Sequence, residues 1–148
     1  MEDEELAIKL FNNLQLLHKA KPHKYMNEAL KGEAFVLHYI AAHGGDVLPG
    51  DISNEMDVSS ARIAAALNNL ENKGLITRRI DKNDRRKILV GITQEGKDLA
   101  DKHYRNVVET MAKMIGLMGE QDAREYVRLV GKLAEKLMQN AECRMQNL

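Results

Sequence analysis

The sequence predicts a mainly helical chain interrupted once by a β-hairpin, and three observations predict it. Only two Pro and ten Gly occur among 148 residues, in a composition rich in Ala, Leu, Met, Glu and Lys, which enter helices at little cost. Apolar residues recur at spacings of three and four through most of the chain. Between residues 75 and 92 the spacing drops to two, the period of a half-buried strand. A single domain, 1–148, is expected from this length.

From Asp3 to about Ala20, Leu6, Leu10, Leu14 and Leu17 form one stripe with Phe11 beside it. Lys21-Pro22-His23 should break this helix, because Pro disfavours helical geometry in the residue before it. A second helix is expected from about Glu33 to His43, with Val36, Leu37 and Ile40 inward and Gly44-Gly45 at its end. Pro49 suits the first turn of a short helix with Ile52 and Met56 inward. Asp57-Val58 then turns the chain, and Ser59 caps the next helix. That helix, Ser60 to Lys73, sends Ile63, Leu67 and Leu70 to one side, and Gly74 closes it. Leu75–Ile80 and Ile88–Ile92 read as two strands around a polar, turn-forming tip, Asp81–Lys87. Thr93 can cap a long helix to about Met118, with Leu99, His103, Val107, Met111 and Met114 along it. Gly119 interrupts, and a last helix runs from about Glu120 to near Asn140 with Ala123, Tyr126, Val130, Leu133, Leu137 and Ala141 as its stripe.

Two helices joined by three or four residues form a helix-turn-helix unit. A charged hairpin directly behind it makes the winged version. The expected architecture is a three-helix DNA-binding lobe with a β-hairpin wing, about 33–96, framed by dimerisation helices at about 3–20 and 97–146. The net charge is zero, yet Ser59–Lys87 holds eight of the 22 Lys and Arg against three of the 22 Asp and Glu. Such a local excess attracts phosphates while the rest of the chain repels them; a solvated charged face is the alternative reading. The second helix of the unit fits the major groove, where each base pair shows a distinct pattern of donors and acceptors. An Arg at the wing tip can enter the minor groove.

Within this stretch, Asp84-Arg85-Arg86 followed by Val90-Gly91-Ile92-Thr93-Gln94-Glu95-Gly96 resembles the wing signature of the MarR family of transcriptional regulators. Leu70-Glu71-Asn72-Lys73-Gly74-Leu75-Ile76 resembles the end of that family's recognition helix, and Leu48 through Val58 its first helix-turn-helix element. The element order matches over nearly the whole chain; the telling motifs lie between about 48 and 96. The resemblance implies a sequence-specific regulator, a ligand-responsive repressor that acts as a homodimer on a pseudo-palindromic operator in double-stranded DNA. One departure stands out. Family members often carry polar or basic residues mid-way along the recognition helix, where this chain has Ala64-Ala65-Ala66.

Base reading is therefore expected from Ser59, Ser60, Arg62, Asn68 and Asn69, with Ala61 and Ala65 able to touch thymine methyls. Arg to guanine and Asn to adenine are the favoured pairings, each worth about 1–3 kcal/mol of discrimination. For Asn68 and Asn69 an ordinary exposed helix face is the competing reading. Lys73, Arg78, Arg79, Lys82, Arg85, Arg86 and Lys87 are expected on phosphates or in the minor groove; alternatively their charges deter edge pairing of the hairpin. One of Arg85 and Arg86 can instead pair with Asp84.

Leu6, Leu10 and Leu14 near the start, and Val130, Leu133 and Leu137 near the end, exceed what a lobe of this size buries, and a second copy would cover them. By the family resemblance, an effector pocket lies between dimer helices and lobes, which points to Phe11, Tyr25, Met26, His38 and Met111 and to a small apolar or aromatic ligand. Other chemistry is thin. Among His18, His23, His38, His43 and His103 no two stand three or four apart on one helix, which disfavours zinc. No nucleophile elbow, P-loop or dinucleotide fingerprint occurs, so no enzyme and no cofactor are expected. Cys143 is a lone thiol, with redox sensing as the less favoured reading. The acidic start Met1–Glu5, the single cysteine and the lack of a long apolar run point to the cytoplasm, away from membranes. A winged-helix protein-interaction module without specific DNA binding is the alternative function.

Overall fold

A computed structural model describes residues 2–146, the side chains of Lys31 and of residues 143–146 excepted. Among these described residues, seven helices and two strands follow in the order α1 (Glu2–Lys19), α2 (Lys21–Lys31), α3 (Glu33–Ala42), α4 (Pro49–Met56), α5 (Ser60–Asn72), β1 (Ile76–Ile80), β2 (Ile88–Ile92), α6 (Gln94–Gly116) and α7 (Glu120–Gln146). The mainly helical fold with one antiparallel hairpin is as the sequence predicts. The chain divides into two compact units, 1–109 and 110–148, with α6 running from the first into the second.

One helix was not foreseen. The expected break at Lys21-Pro22-His23 is only a bend at Ala20, after which α2 begins with Pro at its start. Pro lacks an N–H that the first turn does not use, and its fixed φ suits helix entry. The residue before it, Lys21, is nevertheless helical. Gly32, in extended geometry, ends α2, and α3 starts on the next residue.

The core of the first unit lies among α3, α4, α5 and the hairpin. Val36, Leu37, Ile40, Ile52, Ile63, Leu67 and Val90 are its fully buried side chains, and Val47, Leu70, Leu75, Ile76 and Ala100 complete it. The inward faces read from spacing in α3, α4 and α5 are the ones buried, with Met56 half-buried.

The hairpin pairs Ile76 with Ile92 and Ile80 with Ile88 in register. Its other edge is partly covered. Val47 N–H donates to Val90 O at 3.1 Å and Val90 N–H to Val47 O at 2.8 Å, an extra bridge that period-two reading of the hairpin alone does not reveal. Gly96, in the first turn of α6, seats that helix against the start of the hairpin. A Cβ there would stand 2.1 Å from Leu75 O and 2.8 Å from Ile92 Cγ1. Thr93 caps the same turn by accepting from Gly96 N–H at 3.0 Å while its hydroxyl donates to Gly74 O at 2.8 Å. In the second unit, Gly119 at φ +84° separates α6 from α7, and Arg124–Glu120 and Arg128–Glu125 pairs lie along α7.

Candidate nucleic-acid interface

The turn between α4 and α5 is built by local hydrogen bonds. Asp57 adopts left-handed geometry at φ 53°, which Asp tolerates better than most residues because a short polar side chain can hydrogen-bond locally. Val58 N–H donates to Ser53 O at 3.2 Å, and Ser53 Oγ donates back to Val58 O at 2.6 Å. Ser59 Oγ accepts from Arg62 N–H at 3.2 Å, so one of its two lone pairs is spent on the cap while the other and its hydroxyl hydrogen remain available.

With Ile63, Leu67 and Leu70 buried, α5 presents Ser60, Ala61, Arg62, Ala64, Ala65, Asn68 and Asn69 to solvent. Its exposed middle is alanine, and polar groups stand at its two ends. Arg62 makes no side-chain bond among the described residues. Asn69 and Lys73, one turn apart, converge on Glu33 in the first turn of α3: Asn69 Nδ2 donates to Oε1 at 2.9 Å and Lys73 Nζ to Oε2 at 3.1 Å. These bonds, Asn69's first, hold the Glu33 carboxyl below its usual range although partial burial opposes them. Arg78 donates twice to Glu71, at 2.9 and 3.2 Å, and once to Asn68 Oδ1 at 2.7 Å. Hydrogen bonding to Arg78 lowers the Glu71 pKa, and the same pairing raises that of Arg78.

The wing tip is stiffened from within. Asp81 Oδ1 accepts from Asn83 N–H at 3.0 Å, and Asp84 Oδ1 accepts from Arg86 N–H at 3.1 Å, two side chains that turn the backbone. Arg86 Nε also reaches Asp84, at 3.2 Å, so Arg86 rather than Arg85 is the partner of Asp84. That side chain stays 92% exposed, and its two terminal nitrogens make no bond among the described residues. On β1, one pair short of the tip, Arg79 is tied to Asp46 at 2.6 Å. Lys82, Arg85 and Lys87 are exposed and form no ion pair among the described residues. Of eight cations between 59 and 87, four are held by carboxylates, and the other four are Arg62 at the start of α5 and three at the wing tip.

The remaining candidates are scattered or solvent-facing. Leu6, Leu10, Leu14, Val130, Leu133 and Leu137 are each at least half exposed. The five pocket candidates share no single cavity among the described residues. Phe11 lines a groove with Leu14, His18 and His23. Tyr25 borders a separate hollow of about 320 Å³ with His103 and Val107. Met26 is buried, His38 stacks on Tyr104 at 5.4 Å, and Met111 lies on the part of α6 in the second unit. No group of three or more metal-ligating side chains occurs among the described residues, and the Cys143 side chain lies outside them. No helix among them is long and apolar enough to cross a membrane.

A capped recognition helix set by a short turn against its partner, followed by a cationic hairpin, defines a winged helix-turn-helix protein of the transcription-regulator class. Residues 31–87 match the MarR family model. The chain is 26% identical over 127 residues to the HTH-type transcriptional regulator YwhA of Bacillus subtilis, covering 86% of this chain and 88% of that one. It is 25% identical to the HTH-type transcriptional repressor MdtR of the same organism, covering 87% and 88%. Among solved structures, MepR, a transcription regulator of the Staphylococcus aureus multidrug efflux pump MepA, superposes with a TM-score of 0.65 at 21% identity over 86% of this chain and 96% of that one. A MepR variant bound to an oligodeoxyribonucleotide superposes at 0.55 with 22% identity, over 88% and 97%.

Proposed function

We propose that the chain is a homodimeric repressor that grips a pseudo-palindromic operator, with α5 of each copy in the major groove and each wing on the adjoining backbone. The observation that carries this reading is the split of charge. Arg62 at the N-terminal end of α5 and Lys82, Arg85 and Lys87 at the wing tip are exposed and uncommitted, whereas the cations between them are paired. Arg62, Ser60 and the Ser59 hydroxyl would read bases, and Ala61 and Ala65 would meet thymine methyls. Lys82, Arg85, Lys87 and the outer nitrogens of Arg86 would hold phosphates or the minor groove.

Two copies are needed to place two such lobes roughly 34 Å apart, one DNA turn. The exposed leucines of α1 and the Val130, Leu133 and Leu137 stripe of α7 supply the surface that a second copy would bury. An effector in a pocket completed by that dimer, with Phe11, Tyr25, Met26, His38 and Met111 as candidate lining, would relieve repression by changing the separation of the lobes; a shift of a few ångströms is enough to misfit one groove. Work in the cytoplasm, without catalysis, accompanies this reading.

The test is selection of bound fragments from the source genome, followed by fluorescence anisotropy on the enriched sites. Enrichment of a two-fold symmetric sequence is expected, with release by apolar or aromatic small molecules. A protein that ignores double-stranded DNA even in dilute buffer would instead be the interaction module that the alanine-lined face of α5 also suits.

A further inference from the structure

The carboxylate of Glu33 lies outside the helix-turn-helix pair yet takes both of its hydrogen bonds from the recognition helix. Its Oε1 accepts from Asn69 and its Oε2 from Lys73, so one oxygen is engaged by a side chain of α5 and the other by the residue that caps its C-terminal end. A carboxylate cannot donate, so the Asn69 amide must turn its NH2 group toward Glu33. The partners are 36 and 40 residues away in sequence, so the contact pins α5 to the first turn of α3. The Glu33 side chain is one-third exposed and that of Lys73 is 61% exposed, close enough to water for the pair to open and close without unfolding the lobe.

From this geometry we infer that Glu33 is a positioning residue of the DNA interface. It withholds Lys73 and Asn69 from DNA and leaves phosphate contact to the wing tip. The inference rests on the DNA-binding reading above. Its physical content is competition: a carboxylate 3.1 Å from an ammonium offers it the same kind of partner that a DNA phosphate would. While the pair is closed, Lys73 adds nothing to the counterion release that drives non-specific binding. Sequence-independent affinity is thereby kept down, and the ratio of operator to random binding is kept up.

Salt titrations of anisotropy test this with a random-sequence duplex of about three helical turns, and with the enriched operator, for wild type, Lys73→Ala, Glu33→Gln and the double variant. Lys73→Ala in the wild-type background should leave the slope of log K against log salt unchanged. Glu33→Gln keeps the side-chain shape and removes its charge. It should steepen the slope by about 0.9 per protomer, the value of one added phosphate contact, and raise random-duplex affinity more than operator affinity. The double variant should return to the wild-type slope. A role confined to holding the fold would lower thermal stability in Glu33→Gln without any slope change that depends on Lys73. An unchanged slope in Glu33→Gln, or a flatter slope in Lys73→Ala alone, overturns the inference while leaving DNA binding intact. Wild-type protein that binds neither duplex at low salt overturns both readings.

Discussion

Arg85 and Arg78 look alike in sequence, two arginines in one basic run, but their surroundings give them different expected roles. Arg85 is exposed at the wing tip, whereas Arg78 donates to Glu71 and Asn68 and is about one-quarter exposed. Arg85→Ala should weaken binding to every duplex and flatten the salt slope by about 0.9 per protomer; an unchanged slope would remove Arg85 from the contact set. Glu33 adds a pH dependence. Its folded-state pKa lies below the usual 4.5, chiefly because Asn69 donates to it. The bond therefore contributes stability that is complete above the unfolded value and lost as pH falls through the lower folded value. Chemical denaturation between about pH 5 and pH 3 should show wild type losing more stability than Glu33→Gln. Equal losses would mean that the bond does not persist in solution. Candidate residues were legible in the sequence as types. Their partners were not, since Glu33 meets Lys73 across 40 residues and Arg79 meets Asp46 across 33.

Helices and strands were the most readable part, because capping and periodicity are local. Ser59, Thr93 and the inward stripes of α3, α4 and α5 stand where spacing placed them. Ser59→Ala should cost about 1 kcal/mol of stability by removing the acceptor for Arg62 N–H, read as a shift of the denaturation midpoint at constant m-value. Gly96 is less forgiving. With a backbone oxygen 2.1 Å from where its Cβ would stand, Gly96→Ala should cost about 1–3 kcal/mol through overpacking and loosen α6 from the wing. A stable variant would show that α6 moves aside freely. The missed α2 has a general cause. Lys21-Pro22 reads as a stop when the preceding helix is followed forward and as a start when the next is followed back, and local pattern does not choose between them.

For the complete molecule, the exposed leucines of α1 and apolar stripe of α7 carry the expectation of a dimer. Leu133→Glu, at a site already 57% exposed in one copy, should leave the single chain folded and shift light scattering toward a monomer. A charge buried without a partner is strongly unfavourable in an interface. Operator affinity should fall by roughly 10²–10⁴ when two lobes no longer bind as one. A variant that stays dimeric would place the contact elsewhere on the chain.

Apart from α2, helix and hairpin positions and the caps follow from spacings of two to four residues, and the basic stretch from 59 to 87 from composition, so they can be read along the chain. Which cations remain free cannot be read that way. Each carboxylate that holds one is chosen by packing, whether it sits two residues off, like Asp84 beside Arg86, or forty, like Glu33 beside Lys73. Charge is additive along a sequence, whereas pairing depends on distance in space, and folding sets that distance.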